Sequence, residues 1–239
     1  MKNTSWKLIR DAIEKDISEG QLLPGEKVPT EPELVERYGA GRHSVRRAIS
    51  DLAKQGMLSV EQGRGTFVGE QLLLQYSLGR RTRLRRNLGD QVFDISGYLL
   101  AVDIIEAPER VRKALNLAAG AAVSSGKRIT YADQIPIAFG SAFHDVNRFP
   151  CFADRRAVFG SVTETYKSYG IEDYLRSETT LHSRQAKKAE AKTLRQHPDL
   201  PVTIISAVDV LPDGTPISFS EVIWSAARVK FTISGNDNE

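Results

Sequence analysis

The chain has 239 residues, 41% of them hydrophobic and 26% charged, and a formal net charge of +3. That length suits one large domain or two ordinary ones. The small net charge excludes a bulk polycation, so any nucleic-acid surface has to come from local clustering of Lys and Arg. The single cysteine, Cys151, excludes an intramolecular disulfide and a multi-cysteine metal site, and is expected to be a small buried hydrophobe.

The first helix is expected from near Ser5, because Trp6, Ile9, Ile13 and Ile17 recur at spacings of three and four and make one apolar face. Gly20 is expected to end it. A turn-rich connector, Leu22 to Pro29, follows. A second helix begins at Thr30, which has the capping-box spacing to Glu33, and stops at Gly39. Pro32 falls in its first turn, where a missing N–H is harmless.

The third helix is read over about Arg42 to Gln55. Val45, Ile49 and Leu52 face the core, which leaves Arg42, His43, Arg46 and Arg47 outward near the N-terminal end. Basic and hydrogen-bonding residues on the first turns of such a helix are what base readout in the major groove requires. Gly56 closes the helix, and Met57–Val60 and Thr66–Val68 pair as short strands. Gln62-Gly63-Arg64-Gly65 joins them as a small tip that projects Arg64 toward a minor groove or backbone. This is the pattern of a winged helix-turn-helix over residues 1–69. Residues 70–97 read as a basic linker, with five arginines in the run Arg80 to Arg86. That run is either a further phosphate contact or a solvated surface.

From Tyr98 the pattern becomes α+β. Strands are expected at 99–105, 121–131, 135–143, 174–183, 202–211 and 217–224, and helices at 108–115, 159–169 and 186–195. Pro212-Asp213-Gly214-Thr215 is a hairpin turn. Consecutive strands joined by hairpins imply a largely antiparallel sheet with helices on one face. No acid–base constellation stands out in 98–239, and His144, His182 and His197 lack metal-ligand spacing. Catalytic residues, a metal and a cofactor are therefore not expected. No apolar run approaches the roughly 18 residues of a membrane span, and the acid-containing N-terminus is unlike a signal peptide. The expected location is the cytoplasm.

The N-terminal motifs resemble those of the GntR family of bacterial transcription regulators. They are Leu22-Leu23-Pro24-Gly25, Val28-Pro29-Thr30-Glu31, Arg42 through Ile49 with Leu52, and Gly63-Arg64-Gly65-Thr66-Phe67-Val68. The resemblance implies DNA contacts by Arg42, Ser44, Arg46 and Gly63. Thr30, His43, Arg47, Gln62 and Arg64 complete the expected DNA-binding set. Two departures are Pro32, where some members have an arginine, and Gly41, where Ser or Asn is usual.

Residues 98–239 resemble the effector-sensing UTRA domain of the HutC branch, which implies a chorismate-lyase-like fold, effector binding and dimerisation. The carrying residues are Lys127-Arg128 leading to Asp133 and Pro136, Gly160-Ser161 before Tyr169-Gly170, and Asp213-Gly214. Residues 42–49 and 173–184 are similar to phosphonate-utilisation regulators. This implies a homodimeric repressor of phosphonate uptake or utilisation genes, with a double-stranded DNA operator and a small anionic effector, a phosphonate or phosphate ester.

A phosphorus oxyanion needs cations and N–H donors. Arg128, Ser161, Thr163 and Arg176 are the expected donors, and Thr203, Ser218 and Trp224 are expected to line the same pocket. Sugar-phosphate sensors of the branch carry a second arginine at Thr130, acids at Gly140 and Ser218, and an aromatic at Thr163. That disfavours a sugar phosphate here. The alternatives are a regulator of the same class sensing a sugar phosphate or an amino-acid derivative, and a chorismate-lyase-like enzyme.

Overall fold

The computed structural model describes residues 5–19, 21–23, 25–61, 63–69 and 73–233. Two compact units divide the chain. The first takes the described residues of Met1–Leu73 together with Gln185–Pro201. The second takes those of Leu74–Arg184 and Val202–Glu239.

The first unit opens with α1 (Trp6–Ser18), α2 (Glu31–Tyr38) and α3 (Arg42–Lys54), followed by β1 (Leu58–Glu61) and β2 (Gly65–Val68). Its core gathers Ile9 and Ile13 of α1, Leu34 of α2, Val45, Ala48, Ile49 and Leu52 of α3, and Leu58 and Val68 of the strands. These are the positions that the three-and-four spacing selects, because only one face of each helix can leave water. α1 carries Ser5 as its N-cap and Glu19 as its C-cap. Gly20, expected to end α1, lies outside the described residues, as do Pro24 of the connector and Gln62 of the wing tip.

β1 and β2 pair antiparallel, Leu58 opposite Val68 and Glu61 opposite Gly65. Lys27 adds a bridge to Phe67, so the connector supplies a third rung to the wing. At the turn Gly63 adopts φ +81°, a conformation open to glycine without a Cβ clash.

The second unit is built from β3 (Leu74–Leu78), α4 (Leu84–Leu88), β4 (Ile95–Glu106), α5 (Glu109–Ala114), β5 (Ala122–Ala132), β6 (Ile135–Asp145), α6 (Phe152–Phe159), α7 (Val162–Lys167) and β7 (Leu175–Gln185). The chain then passes through α8 (Lys188–Thr193), in the segment that groups with the first unit, and returns as β8 (Pro201–Val210), β9 (Pro216–Ser225) and β10 (Val229–Ile233). The main sheet runs β4-β5-β6-β9-β8-β7. Its β4–β5, β5–β6, β6–β9 and β9–β8 pairs are all antiparallel. β10 and β3 pair parallel as a separate two-stranded sheet.

The α+β class and the antiparallel sheet agree with the sequence reading, but several elements differ. The stretch expected as a linker, 70–97, contains β3 and α4 and the start of β4. Its residues from 74 on belong to the second unit. The expected second domain, 98–239, also gives up 185–201 to the first unit. The helix expected at 159–169 is instead the short α7, because Gly160 (φ +68°) ends the unforeseen α6 and Ser161 starts a new helix. α6 buries only Phe152, so no apolar stripe announces it. Cys151 is exposed rather than buried. It precedes α6 in a left-handed conformation (φ +55°), where the chain turns at the surface.

β6 and β9 approach each other closely at Gly140. A Cβ there would lie 2.2 Å from the Glu221 carbonyl oxygen. Gly140→Ala is therefore expected to force the two central strands apart and cost about 1–3 kcal/mol. The check is chemical denaturation followed by a second-unit tryptophan signal, and an unchanged midpoint refutes the close approach.

Candidate nucleic-acid interface and effector cavity

α3 divides cleanly into two faces. Val45, Ala48, Ile49, Leu52 and Ala53 are buried, while Arg42, His43, Arg46 and Arg47 are exposed and Ser44 is half-buried. No side chain caps the helix N-terminus at Gly41. The Arg42 and His43 N–H groups stay open to a phosphate, alongside the positive end of the helix dipole, while the Ser44 N–H donates to the Gly41 carbonyl at 2.9 Å.

The basic side chains are not equivalent. Arg42 makes no ion pair among the described residues. Arg46 Nε lies 3.5 Å from Glu31 Oε1 of α2, an exposed pair that water screens and DNA can displace. Arg47 is stacked on Trp6 of α1, its guanidinium carbon 4.4 Å from the ring centre. It ties α1 to α3 as well as presenting charge. In the wing, Arg64 pairs with Glu61 and lies 5.6 Å over Phe67.

Thr30 caps α2. Its backbone N–H and its hydroxyl donate to Glu33 Oε2 at 2.6 and 2.8 Å, and these bonds hold the Glu33 carboxyl below the ordinary carboxylate range. The N-cap position also sets where α2 begins relative to α3. Gln62 lies outside the described residues.

The second unit encloses a cavity of about 470 Å³, a size suited to a small metabolite. Six of the seven residues expected at the effector site line it: Arg128, Ser161, Thr163, Arg176, Ser218 and Trp224. They come from β5, α7 and its cap, β7 and β9, so the fold brings together positions far apart in sequence. Trp224 is also a core residue, 4.9 Å from Tyr76 and 5.5 Å from Phe231 between ring centres. Thr203 is not among the lining residues; its hydroxyl is 3.0 Å from that of Ser183.

Sequence reasoning missed several cavity residues. Arg83, Arg85 and Arg86 of the arginine run, and Arg156 of α6, also line the cavity, with Asp209 the one acid among the lining residues. The run is thus neither a free phosphate contact nor wholly a solvated surface. Arg81 pairs with Asp173. Arg83 lies 3.5 Å over the Tyr174 ring and donates to the Tyr174 carbonyl at 2.6 Å. Its clustered charge was a legible signal. Arg156 carried none, because its neighbours are brought in by tertiary structure.

The charges in the cavity are unevenly paired. Arg176 Nε donates to Asp209 Oδ1 at 3.0 Å. Burial works against the Arg176 charge, and the adjacent Asp209 outweighs it, so its pKa rises. Arg128 donates to the Gly97 carbonyl at 2.6 Å, and burial lowers its pKa. Arg156 is the least satisfied. Its Nε and Nη1 are buried without a hydrogen-bond partner. Burial first, then the charges of Arg128 and Arg85, push its pKa down to about 10.

The inner end of the cavity is neutral and aromatic. His144 Nε2 is 2.9 Å from the Tyr166 hydroxyl, and its ring stacks on Phe152 at 3.6 Å. Burial pushes the His144 pKa down to about 3. A base whose folded pKa is depressed binds its proton more readily when unfolded. Its neutral burial is therefore fully compatible with folding above pH 6.5 and opposes folding as the pH falls below that value. The second unit is expected to lose up to about 1.4 kcal/mol per pH unit from this group as pH falls from 6.5 toward 5. Thermal melts across that range should show a slope that His144→Gln flattens. An unaltered slope in the variant rules out His144 as its source.

Among the described residues, no helix is long and apolar enough to cross a membrane, and no group of three or more His, Cys, Asp or Glu side chains could hold a metal ion.

Comparison with known proteins agrees with this arrangement. Residues 7–68 match the model of the bacterial regulatory proteins of the gntR family, and residues 91–230 match the UTRA domain. An uncharacterized HTH-type transcriptional regulator of Rhizobium meliloti is 31% identical over 95% of this chain and 93% of its own length. The mannosyl-D-glycerate transport/metabolism system repressor MngR of Escherichia coli is 26% identical over 95% of this chain and 94% of its own. The solved structure of PhnF from Mycobacterium smegmatis superposes with a TM-score of 0.64 at 20% identity, over 95% of this chain and 99% of that one. That last likeness is one of fold, whereas the regulators share sequence along nearly the whole chain. With a winged recognition helix, a UTRA domain and regulators rather than enzymes for relatives, the chain belongs to the GntR family of bacterial transcriptional regulators.

Proposed function

We propose that this protein is a cytoplasmic, effector-controlled repressor of the HutC branch that binds a two-fold operator as a homodimer. In this reading Arg42 and Arg46 enter the major groove with Ser44, and the wing at Gly63 and Arg64 lies on the adjacent backbone. Thr30, His43 and Gln62 contribute at the margin. One head reads few base pairs, so specificity needs two heads about a two-fold axis. The repressor direction is supported by the named relative that is a repressor.

The effector is a small anion, a phosphonate or phosphate ester, held by Arg128, Arg156 and Arg176 with Ser161 and Thr163. The observation that carries this is Arg156: a buried guanidinium with two unpaired nitrogens, repelled by Arg128 and Arg85. A bound dianion would supply the partner that the protein omits. The phosphonate branch rests on the resemblance of residues 42–49 and 173–184 and on the absence of a second arginine at Thr130. Serine hydroxyls at 124, 141 and 220 on the same cavity favour a second reading, a phosphorylated polyhydroxy compound.

Two experiments test these assignments. Arg46→Ala is expected to weaken operator binding by roughly tenfold or more, since a bidentate guanine contact is worth about 1–3 kcal/mol. Arg47→Ala is expected to lower the melting temperature by loosening Trp6. Equal affinity of wild type and Arg46→Ala in a gel shift removes Arg46 from the interface. The second experiment compares apo and ligand-bound melts of wild type and Arg156→Met. The variant is expected to be more stable without ligand, because an uncompensated buried charge is gone. It should also lose the stabilisation of about 2.7 kcal/mol that a ligand at a hundred times its Kd confers. Alkylphosphonates, inorganic phosphate and sugar phosphates are the probes. A wild-type protein stabilised by none of them is not a phosphorus-anion sensor.

A further inference from the structure

The effector cavity uses only part of the arginine run. Arg83, Arg85 and Arg86 line that cavity, whereas Arg80 and Arg81 open into a second concavity of the same unit, a cleft of about 620 Å³. Thr82, Arg86 and Arg176 line both spaces, so these side chains form the partition between them. The partition is a built wall. Thr82 is buried, and its hydroxyl donates to the Gly79 carbonyl at 2.6 Å and accepts from the Gly79 N–H at 2.9 Å. The Arg176 N–H donates to the Arg80 carbonyl at 2.7 Å. The cleft is therefore a compartment of its own.

Its charges are unequally engaged. Arg81 is held by Asp173. Arg80 and Arg86 make no ion pair and no side-chain hydrogen bond among the described residues. Arg176 gives its Nε to Asp209 and has no hydrogen bond on either terminal nitrogen among the described residues. Hydroxyls at Ser77 and Thr179 face the same space. Against these donors stands Glu178, the one acid among the lining residues. It pairs with none of the arginines, and the Thr180 hydroxyl reaches it only at 3.5 Å.

This set of groups selects a class of ligand. Guanidinium groups donate only, in a planar fork that fits an oxyanion. A carboxylate only accepts, so Glu178 repels an oxyanion that has no proton to give. Hydrogen phosphate satisfies both demands, with bare oxygens for the arginines and a P–OH for the carboxylate. Sulfate at neutral pH has no such proton.

We propose that the cleft between β3 and β7 is a second anion site, separate from the effector cavity, and that it binds inorganic phosphate as hydrogen phosphate. Arg80 and Arg86 are its cationic donors, and Glu178 accepts from the P–OH.

The test counts phosphate bound per full-length chain by equilibrium dialysis of the radiolabelled ion. The Arg80 side chain is exposed and has no partner, so Arg80→Met is expected to leave the circular dichroism spectrum unchanged. Wild type is expected to bind two phosphates per chain, one in each space, and Arg80→Met and Arg156→Met one each. In the Arg156→Met background phosphate is expected to bind about tenfold or more tightly than sulfate, the worth of one hydrogen bond to a charged group. Glu178→Gln is expected to abolish that preference. A single phosphate that is lost in Arg156→Met and kept in Arg80→Met overturns the cleft site and leaves the effector reading intact. A single phosphate lost in Arg80→Met and kept in Arg156→Met upholds the cleft, and the alkylphosphonate melts then decide the cavity on their own. Equal affinity for sulfate and phosphate in the Arg156→Met background overturns the assignment to hydrogen phosphate. A wild-type chain that binds no phosphate overturns the cleft site whatever those melts show.

Discussion

The second unit is organised around more positive charge than its own side chains neutralise. Six arginines line one cavity with a single carboxylate among them. Asp209 is already committed to Arg176. The surplus falls on Arg156, whose charge is costly where it sits. A folded protein tolerates such a cost only when the rest of the core compensates, and here the long antiparallel sheet does so. Its close strand contact at Gly140 and the aromatic cluster around Phe149, Phe152 and Tyr166 form part of the packing that surrounds the cavity. Strain of this kind is characteristic of a site shaped for a partner that is not part of the chain.

The head solves a simpler problem. Its helices are short, and each depends on its ends. Thr30 caps α2, Ser5 caps α1, and Arg47 clips α1 to α3 through Trp6. The same compactness frees the polar face of α3. Because Val45, Ile49 and Leu52 are fully engaged in the core, the orientation of Arg42 and Arg46 is fixed by packing rather than by their own contacts. That is the preorganisation a reading head needs.

Much of the head was legible in the sequence because its signals are local: Thr30 and Glu33 three residues apart, apolar residues at helical spacing, glycines at the wing. In the second unit the strands of the sheet were legible by alternation and by the Asp213-Gly214 turn. What escaped was set by distant partners. Leu74, Tyr76 and Leu78 alternate as a buried strand, but their partner strand is β10, near the far end of the chain. α6 has almost no apolar face. Six of the seven expected cavity residues did converge, Thr203 being the exception, since hydroxyls at helix starts and arginines on strands are recognisable types. Arg156 was invisible for the opposite reason: its significance is the lack of a neighbour, which no sequence pattern encodes.

The Glu31–Arg46 pair gives the head an internal counterion. Cations in a DNA-binding surface ordinarily exchange solution anions for phosphates, and DNA in turn sheds the cations condensed on it, which makes affinity fall with salt. Arg46 begins loosely paired with a carboxylate of its own unit. In the proposed complex Arg46 turns to DNA, and Glu31 then draws a cation back from solution. On that reading each head gives up less net salt than its count of arginines implies.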